Sequence, residues 1–123
     1  MNVLYVDDNP INRLIGERTL RDKYAVTAVE TAEEVFALLE KHDYDMYVID
    51  LNLNNPEIDG FGVLSHIKNI KGNDAVFIAC TNYLGDDWEK RCLAAGFDYY
   101  LVKPLRLATL AQYEKKRKVL RQI

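Results

Sequence analysis

The sequence has few of the features that define a secreted or membrane protein. It contains two cysteines, Cys80 and Cys92, which are too few for a disulfide framework and fit a reducing cytoplasm. Its longest apolar runs, such as residues 75–80, are far shorter than the ~20 residues of a membrane-spanning helix. Residues 1–20 do not follow the basic, apolar and small-residue order of a signal peptide. These absences predict a cytoplasmic location and no membrane contact.

Length and composition are those of one globular domain. The chain has 123 residues, of which 49% are hydrophobic and 28% are charged. These proportions are close to the averages for folded domains, so they exclude a disordered or low-complexity chain. We therefore expect a single domain over residues 1–123.

The charge distribution does not favour nucleic acid as a direct partner. The formal net charge is −3, which argues against nucleic-acid binding as the main role. Residues 113–123 nevertheless contain five basic residues and one acid. Because a helix dipole favours cations near the C-terminus of the helix, we interpret this basic end as a solvated helix face. A nucleic-acid or membrane patch is the less favoured interpretation.

Short apolar segments recur along the chain and predict five strands. Residues 3–6, 46–49 and 75–80 are continuously apolar, which is typical of strands buried on both faces of a parallel sheet. Residues 24–29 and 99–102 have weaker patterns, which suit the edges of a sheet. The sequence therefore predicts a sheet with three central strands and two edge strands.

Helical patterns follow each predicted strand. The first helix begins at Asn9 and Pro10, a cap residue followed by proline, and Ile11, Leu14 and Ile15 mark one of its faces. The second predicted helix begins at Thr31. The third covers about 60–70, the fourth about 85–95, and the fifth runs from about 106 to near the end of the chain. Strands separated by helices imply an α/β fold, a doubly wound (βα)5 parallel sheet. Five such units fill the chain and leave no room for an output, catalytic or DNA-binding domain.

Polar residues stand where the predicted strands end. Asp7 and Asp8 follow the first strand, Asp50 the third, Thr81 the fourth and Lys103 the fifth. Each residue alone has an ordinary explanation as a helix cap, turn or loop residue. Ligands of open α/β sheets bind at the carboxyl ends of the strands, so we expect all five residues to lie together. Clustered carboxylates need a cation, for which Mg²⁺ is suited, and a lysine with a hydroxyl suits a phosphoryl group.

Several separate motifs resemble the receiver domain of two-component response regulators. They are Val6 to Asn9 (Val-Asp-Asp-Asn), Asp50 after Tyr-Val-Ile, Thr81 after Ile-Ala-Cys, and Lys103-Pro104. The resemblance covers almost the whole chain and implies the CheY-like, flavodoxin-like fold with strand order 2-1-3-4-5. It also implies a signalling switch that receives a phosphoryl group from a sensor histidine kinase or a phosphotransfer protein. Such a switch acts on a downstream protein and catalyses only its own phosphorylation and slow dephosphorylation.

The resemblance implies a metal site. Asp50 is then the phosphoacceptor, and Asp8, Asp50 and the backbone carbonyl of Asn52 bind Mg²⁺, with Mn²⁺ as an alternative. Asp7 binds through metal-bound water or tunes the site. The chain departs from the family in its longer loop over residues 51–59.

The resemblance also implies the residues that hold the phosphoryl group. Lys103 contacts that group, Thr81 forms a hydrogen bond with it after transfer, and Tyr100 is the aromatic residue that moves with Thr81. Asn82 stands where the family usually has a small residue, and we expect it to narrow access to the group. The surface of helix four, strand five and helix five is then the one that changes, and it offers a route to a homodimer.

Other functions remain open on the sequence. The main alternative is a receiver-like interaction module that works without phosphorylation. A haloacid-dehalogenase-type phosphatase needs a second acid two residues after its nucleophile, and Asn52 stands there instead. A flavodoxin needs a hydroxyl- and glycine-rich first loop, whereas Asp7 and Asp8 would repel phosphate. Tyr83 and Asn52 are either loop residues that influence an attacking water or ordinary exposed residues.

Overall fold

Strands and helices alternate along the chain. The structure, a computed structural model, describes residues 1–53, 57–82 and 85–122. The elements in these residues are β1 (Asn2–Val6), α1 (Pro10–Leu20), β2 (Ala25–Val29), α2 (Ala32–Leu39), β3 (Met46–Asp50), α3 (Gly60–Lys71), β4 (Val76–Thr81), α4 (Asp86–Ala95), β5 (Tyr99–Val102) and α5 (Leu107–Gln122). This order confirms the predicted α/β class, and the element bounds lie within a few residues of the predictions.

The five strands form one parallel sheet in the order β2-β1-β3-β4-β5. This order confirms the doubly wound topology that the resemblance implied. β1, β3 and β4 lie in the interior of the sheet and are almost completely buried, whereas β2 and β5 form its edges. The chain reverses its winding direction between β1 and β3, which opens a crevice at the carboxyl ends of these strands.

The sheet divides the core into two apolar clusters. Leu4 and Val6 point to the face that is covered by α2, α3 and α4. Val3 and Tyr5 point to the opposite face, which α1 and α5 cover. This alternation follows from the strand period of two, so neighbouring residues of β1 serve different clusters. Tyr5 therefore lies on the α1 side of the sheet.

The apolar face of α1 is exposed. Ile11, Leu14 and Ile15 are 66%, 49% and 50% exposed, so the apolar pattern does not mark the buried side of this helix. Gly16 and Leu20 are the buried residues of α1. The helix approaches the sheet through these two positions, one turn apart, because the glycine leaves room for a side chain of β1.

The helix starts follow the predicted capping signals. Asn9 Oδ1 accepts hydrogen bonds from the amides of Ile11 and Asn12 at 2.9 and 3.0 Å. Thr31 Oγ1 accepts one from the amide of Glu34 at 3.2 Å, which is the first bond of a capping box, and the Thr31 hydroxyl donates to the Glu34 carboxylate at 3.2 Å. Both predicted N-caps are therefore confirmed, and the Asn9 cap fixes the turn that follows Asp8.

A buried polar contact anchors α5. Glu114 is 8% exposed and accepts a hydrogen bond from the Tyr24 hydroxyl at 2.8 Å. Burial and this bond to Glu114 raise the pKa of Tyr24. The interpretation of residues 113–123 as a solvated face holds for Lys115 and Lys116, which are exposed, but is wrong for Glu114. The side chains of residues 117–123, which include the other three basic residues of this stretch, lie outside the described part of the chain. Among the helices described, none has the length and apolar character needed to cross a bilayer.

Candidate functional site

The carboxyl ends of four strands bring polar side chains into one cluster. Asp7 follows β1 directly, Asp50 and Thr81 are the last residues of β3 and β4, and Lys103 follows β5. Asp7, Asp50 and Thr81 are buried, at 0%, 5% and 1% exposure, whereas Asp8 is half-buried. Such burial of polar residues is uncommon unless they have partners, so the contacts of each group carry information about the site.

Lys103 bridges two carboxylates. Its Nζ lies 2.7 Å from Oδ2 of Asp7 and 3.1 Å from Oδ2 of Asp50. Burial alone would lower the pKa of Lys103, but the hydrogen bond with Asp7 and the charge of Asp50 outweigh burial and raise it. The ammonium is therefore charged and held between the ends of β1 and β3.

Asp7 is the most fully enclosed group of the site. Its Oδ2 accepts hydrogen bonds from the Tyr5 hydroxyl and from Lys103, both at 2.7 Å, and its Oδ1 accepts one from the amide of Asn9 at 2.9 Å. Burial opposes ionisation, but Lys103, the Asn9 amide and the Tyr5 hydroxyl together lower the pKa of Asp7. The Arg13 guanidinium donates to the backbone carbonyl of Asp7 at 2.8 Å and ties this turn to α1.

Asp50 lies in a different electrostatic environment. Burial raises the pKa of Asp50 to about 6, although the charge of Lys103 and the amide of Asn52, which donates to Oδ1 at 3.1 Å, act in the opposite direction. The negative charge of Asp7 adds to the rise. The two buried carboxylates thus differ, because Asp7 is firmly ionised while the ionised form of Asp50 costs free energy.

Three carboxylates of the cluster can act together on a cation. One oxygen from each of Asp7, Asp8 and Asp50 lies within 4.8 Å of the other two. A single ammonium, that of Lys103, cannot neutralise three carboxylates, so the site retains negative charge. Carboxylate oxygens with an open, partly solvated side are the donors that Mg²⁺ prefers. The donor set therefore fits a magnesium ion.

An open cavity of about 140 Å³ lies over the carboxylates. It is lined by Asp8, Asn9, Asn12, Asp50, Asn52, Thr81, Asn82 and Lys103. Most of the residues that the sequence singled out therefore face one space. Asn52 and Asn82 are exposed at its rim, so they border the entrance and do not fill the cavity.

Tyr100 lies apart from this cavity. The residue is half-buried and packs against the core on the α4 side of the sheet. Burial raises the pKa of Tyr100, and the nearby Cys92 and Glu89 of α4 add to the rise. Its predicted movement with Thr81 stays a prediction. Residues 54–56 of the longer loop, and Tyr83, lie outside the described residues.

Sequence reasoning missed the contribution of Tyr5. It was included only in the apolar run of the first strand, yet its hydroxyl donates to a site carboxylate. The signal was present in the spacing, because residues two apart on a strand point to the same face. Tyr5 and Asp7 have this spacing, and a buried tyrosine hydroxyl needs a partner.

The comparisons with known proteins agree with this fold. The chain belongs to the response regulator receiver domain family, which matches residues 3–114. It is 35% identical over 107 residues to the "Uncharacterized 14.6 kDa protein in sodA1 3′ region" of Leptolyngbya boryana, with 85% of this chain and 80% of that protein covered.

Sensor kinases contain a region similar to this chain. The chain is 30% identical to the sensor histidine kinase RcsC of Salmonella typhimurium, with 91% of this chain and 12% of the kinase covered. It is 33% identical to the autoinducer 2 sensor kinase/phosphatase LuxQ of Vibrio cholerae, with 89% of this chain and 13% of that protein covered. The chain thus spans a small part of the length of these kinases. The activities of the full-length kinases are properties of those proteins and are not assigned to this chain.

Solved structures share the fold. The CheY-like receiver domain protein of Methanospirillum hungatei has a TM-score of 0.78 at 25% identity, with 94% of this chain and 91% of that one covered. A response regulator of Burkholderia pseudomallei, solved with a phosphorylated aspartic acid, a calcium ion and citrate, has a TM-score of 0.80 at 24% identity. That match covers 98% of this chain and 71% of the other.

Proposed function

We propose that this chain is a phosphorylatable receiver that accepts a phosphoryl group on Asp50 in the presence of Mg²⁺. The observation that carries the proposal is the environment of the Asp50 carboxylate. It is buried at the end of β3, lies 3.1 Å from the Lys103 ammonium, and faces an open cavity beside Asp7 and Asp8. The donor is a sensor histidine kinase or a phosphotransfer protein of the cytoplasm, and the recipient of the signal is another protein.

The transfer is a displacement at phosphorus. A carboxylate oxygen of Asp50 forms a new P–O bond while the P–N bond of the donor phosphohistidine breaks. The leaving imidazole keeps the electron pair of that bond and takes a proton from the solvent, so nothing is oxidised or reduced. The acceptor must be ionised to attack, and the Lys103 ammonium and the Asn52 amide favour that form against the cost of burial.

The acidic cluster supplies the metal ligands of the proposal. Asp8, Asp50 and the backbone carbonyl of Asn52 would hold Mg²⁺, and Asp7 would act through metal-bound water or by its charge. Bound Mg²⁺ offsets the repulsion between the carboxylates and the incoming phosphoryl oxygens. The hydrogen bonds that Asp7 accepts from Tyr5 and Asn9 keep its carboxylate ionised and directed to the site without the ion.

Two residues of the cavity would contact the phosphoryl oxygens of the acyl phosphate. Lys103 can move its ammonium from Asp7 and Asp50 onto a phosphoryl oxygen, because it already lies between them. The Thr81 hydroxyl, at the end of β4, can donate to another oxygen. Tyr100 packs beside α4, so a shift of Thr81 and Tyr100 would change the α4–β5–α5 surface. Through that surface the receiver would bind its target or a second copy of the chain.

Intact-mass spectrometry after incubation with acetyl phosphate and Mg²⁺ tests the proposal. We expect a single phosphoryl gain in the wild type, none with EDTA and none in Asp50→Asn. Asp74→Asn, which changes an exposed aspartate in the same way, should be phosphorylated normally. A folded wild type that gains no phosphoryl group would overturn the proposal in favour of the phosphorylation-independent interaction module. A gain that persists in Asp50→Asn would overturn it by placing the acceptor at another residue.

A further inference from the structure

A buried hydroxyl that the proposed chemistry does not require contacts the site. Tyr5 is the penultimate residue of β1 and is 1% exposed. Its hydroxyl donates to Oδ2 of Asp7 at 2.7 Å, and Lys103 donates to the same oxygen at the same distance. One carboxylate oxygen thus has two donors, of which only one carries a charge.

Packing explains the ring of Tyr5 but not its hydroxyl. The side chain belongs to the apolar cluster under α1 and α5, where a phenylalanine would bury the same ring. Burying a hydroxyl costs free energy unless it finds an acceptor, and here the acceptor is a carboxylate of the site. The hydroxyl is therefore explained by Asp7 and not by the core.

Gly16 leaves room for this ring against α1. A Cβ atom at position 16 would overlap Cε2 of Tyr5 and lie 3.0 Å from its Cδ2. The ring also lines a second cavity, of about 250 Å³, together with Gly16, Lys103 and Leu105. A glycine in the interior of a helix lowers helix stability. The close approach of the Tyr5 ring explains why a glycine stands at position 16 nevertheless.

We infer that Tyr5 is a positioning residue that sets how Lys103 is divided between Asp7 and Asp50. By donating to Oδ2 of Asp7, the hydroxyl uses part of the hydrogen-bonding capacity of that oxygen. The interaction between this oxygen and the Lys103 ammonium is weaker as a result. Lys103 then stays able to reach Asp50 and a phosphoryl group bound there. Without the hydroxyl, Lys103 is the one donor left to Oδ2 in the described part of the chain, so the ammonium moves toward Asp7. The inference rests on the proposed transfer to Asp50.

Tyr5→Phe tests the inference, and Tyr24→Phe is its matched control. Tyr24 is also a buried tyrosine that donates to a carboxylate, that of Glu114 at 2.8 Å, with Lys23 at 3.9 Å from the same oxygen. Both variants lose one buried hydroxyl–carboxylate bond, so both should unfold at lower urea concentrations. Only Tyr5→Phe should change the site.

Two measurements separate a positioning role from a structural one. With saturating Mg²⁺, the maximal rate of phosphorylation by acetyl phosphate should fall roughly tenfold in Tyr5→Phe, because Lys103 moves toward Asp7 and its charge-assisted contact with the phosphoryl group at Asp50 weakens. The half-saturating acetyl phosphate concentration should stay within about twofold of the wild type. Without any phosphodonor, the ¹H–¹⁵N resonance of the Lys103 ammonium should shift in Tyr5→Phe and not in Tyr24→Phe.

The outcomes are distinct. An unchanged maximal rate with an unmoved Lys103 resonance in Tyr5→Phe would overturn the inference, as would equal rate losses in the two variants. Failure of the wild type to take up a phosphoryl group would overturn the proposed function instead. In that case the Lys103 resonance alone decides whether Tyr5 positions the ammonium.

Discussion

The Lys103 ammonium lies 3.1 Å from Oδ2 of Asp50, although 53 residues separate the two in sequence. This contact places a cation against the carboxylate at which we propose phosphoryl transfer. Burial still raises the pKa of Asp50 to about 6, so the ammonium offsets only part of the cost of burial. The proposed acceptor is therefore a group whose charged form the folded protein tolerates at a cost.

Asp50→Asn should stabilise the protein at neutral pH. The pKa of Asp50 is about 6 in the folded state against 3.8 for an ordinary, solvated aspartate, so the folded state binds this proton more readily. The charged carboxylate therefore costs stability above pH 6, and the cost disappears as the pH falls toward 4. Without Mg²⁺, urea unfolding at pH 7 should show a free energy of unfolding higher by about 1–3 kcal/mol in Asp50→Asn.

The control for this pH effect is Asp74→Asn, at an exposed position. We expect it to alter the free energy of unfolding by no more than about 0.5 kcal/mol at either pH. A gain in Asp50→Asn that is the same at pH 4 and at pH 7 would contradict the assignment to ionised Asp50.

Lys103→Met should destabilise the protein more than a surface lysine change does. It leaves Asp7 and Asp50 buried without their shared cation, and breaking a buried pair costs about 3–5 kcal/mol. Lys23→Met removes an ion pair of a lysine that is 42% exposed, so its cost should stay below about 1 kcal/mol. Urea unfolding at pH 7 measures both. Equal losses would contradict a buried bridging role for Lys103.

Mg²⁺ should stabilise the wild type, and Asp8→Asn should remove most of that effect. A ligand that binds the folded state at a hundred times its Kd adds about 2.7 kcal/mol to the free energy of unfolding. Asp8 is half-buried, so its loss should cost little without Mg²⁺. Thermal unfolding at increasing Mg²⁺ concentrations tests this, with the exposed Asp22→Asn as the control. Full Mg²⁺ stabilisation of Asp8→Asn would exclude Asp8 as a ligand.

Gly16→Ala should destabilise the fold through Tyr5. The added methyl group would overlap the Tyr5 ring, and overpacking of this kind costs about 1–3 kcal/mol. The same substitution in a Tyr5→Val background should cost much less, because the clashing atoms are gone. Urea unfolding of the four proteins in this double-mutant cycle measures the coupling. Additive effects of the two substitutions would show that Tyr5 and Gly16 do not interact.

The fold was predictable because its signals are local. Buried parallel strands are continuous apolar runs, such as Met46–Ile49, and the helix starts have cap residues, such as Asn9 and Thr31. The positions of Asp7, Asp50 and Lys103 at one edge then follow from the parallel arrangement. Periodicity failed for α1, where the exposed Ile11 belongs to an apolar face that the sheet does not cover.

The remaining features depend on contacts between distant residues. The Tyr24–Glu114 hydrogen bond spans 90 residues and buries an acid that lies within a basic stretch. The bond from Lys103 to Asp7 spans 96 residues, and its competition with the Tyr5 hydroxyl depends on atomic distances. Composition and spacing carry no information on which of two possible donors forms a hydrogen bond with a given oxygen. Such details require the packed structure.

The distribution of the cluster over β1, β3, β4 and the end of β5 has a consequence for biosynthesis. A chain that is still leaving the ribosome has Asp7, Asp50 and Thr81 long before it has Lys103, which follows the last strand. Until β5 pairs with β4, the two buried carboxylates lack their common cation. Under the proposed function, a partly made polypeptide would therefore lack the cation that phosphoryl transfer to Asp50 requires, and only a chain with its complete sheet would accept the group.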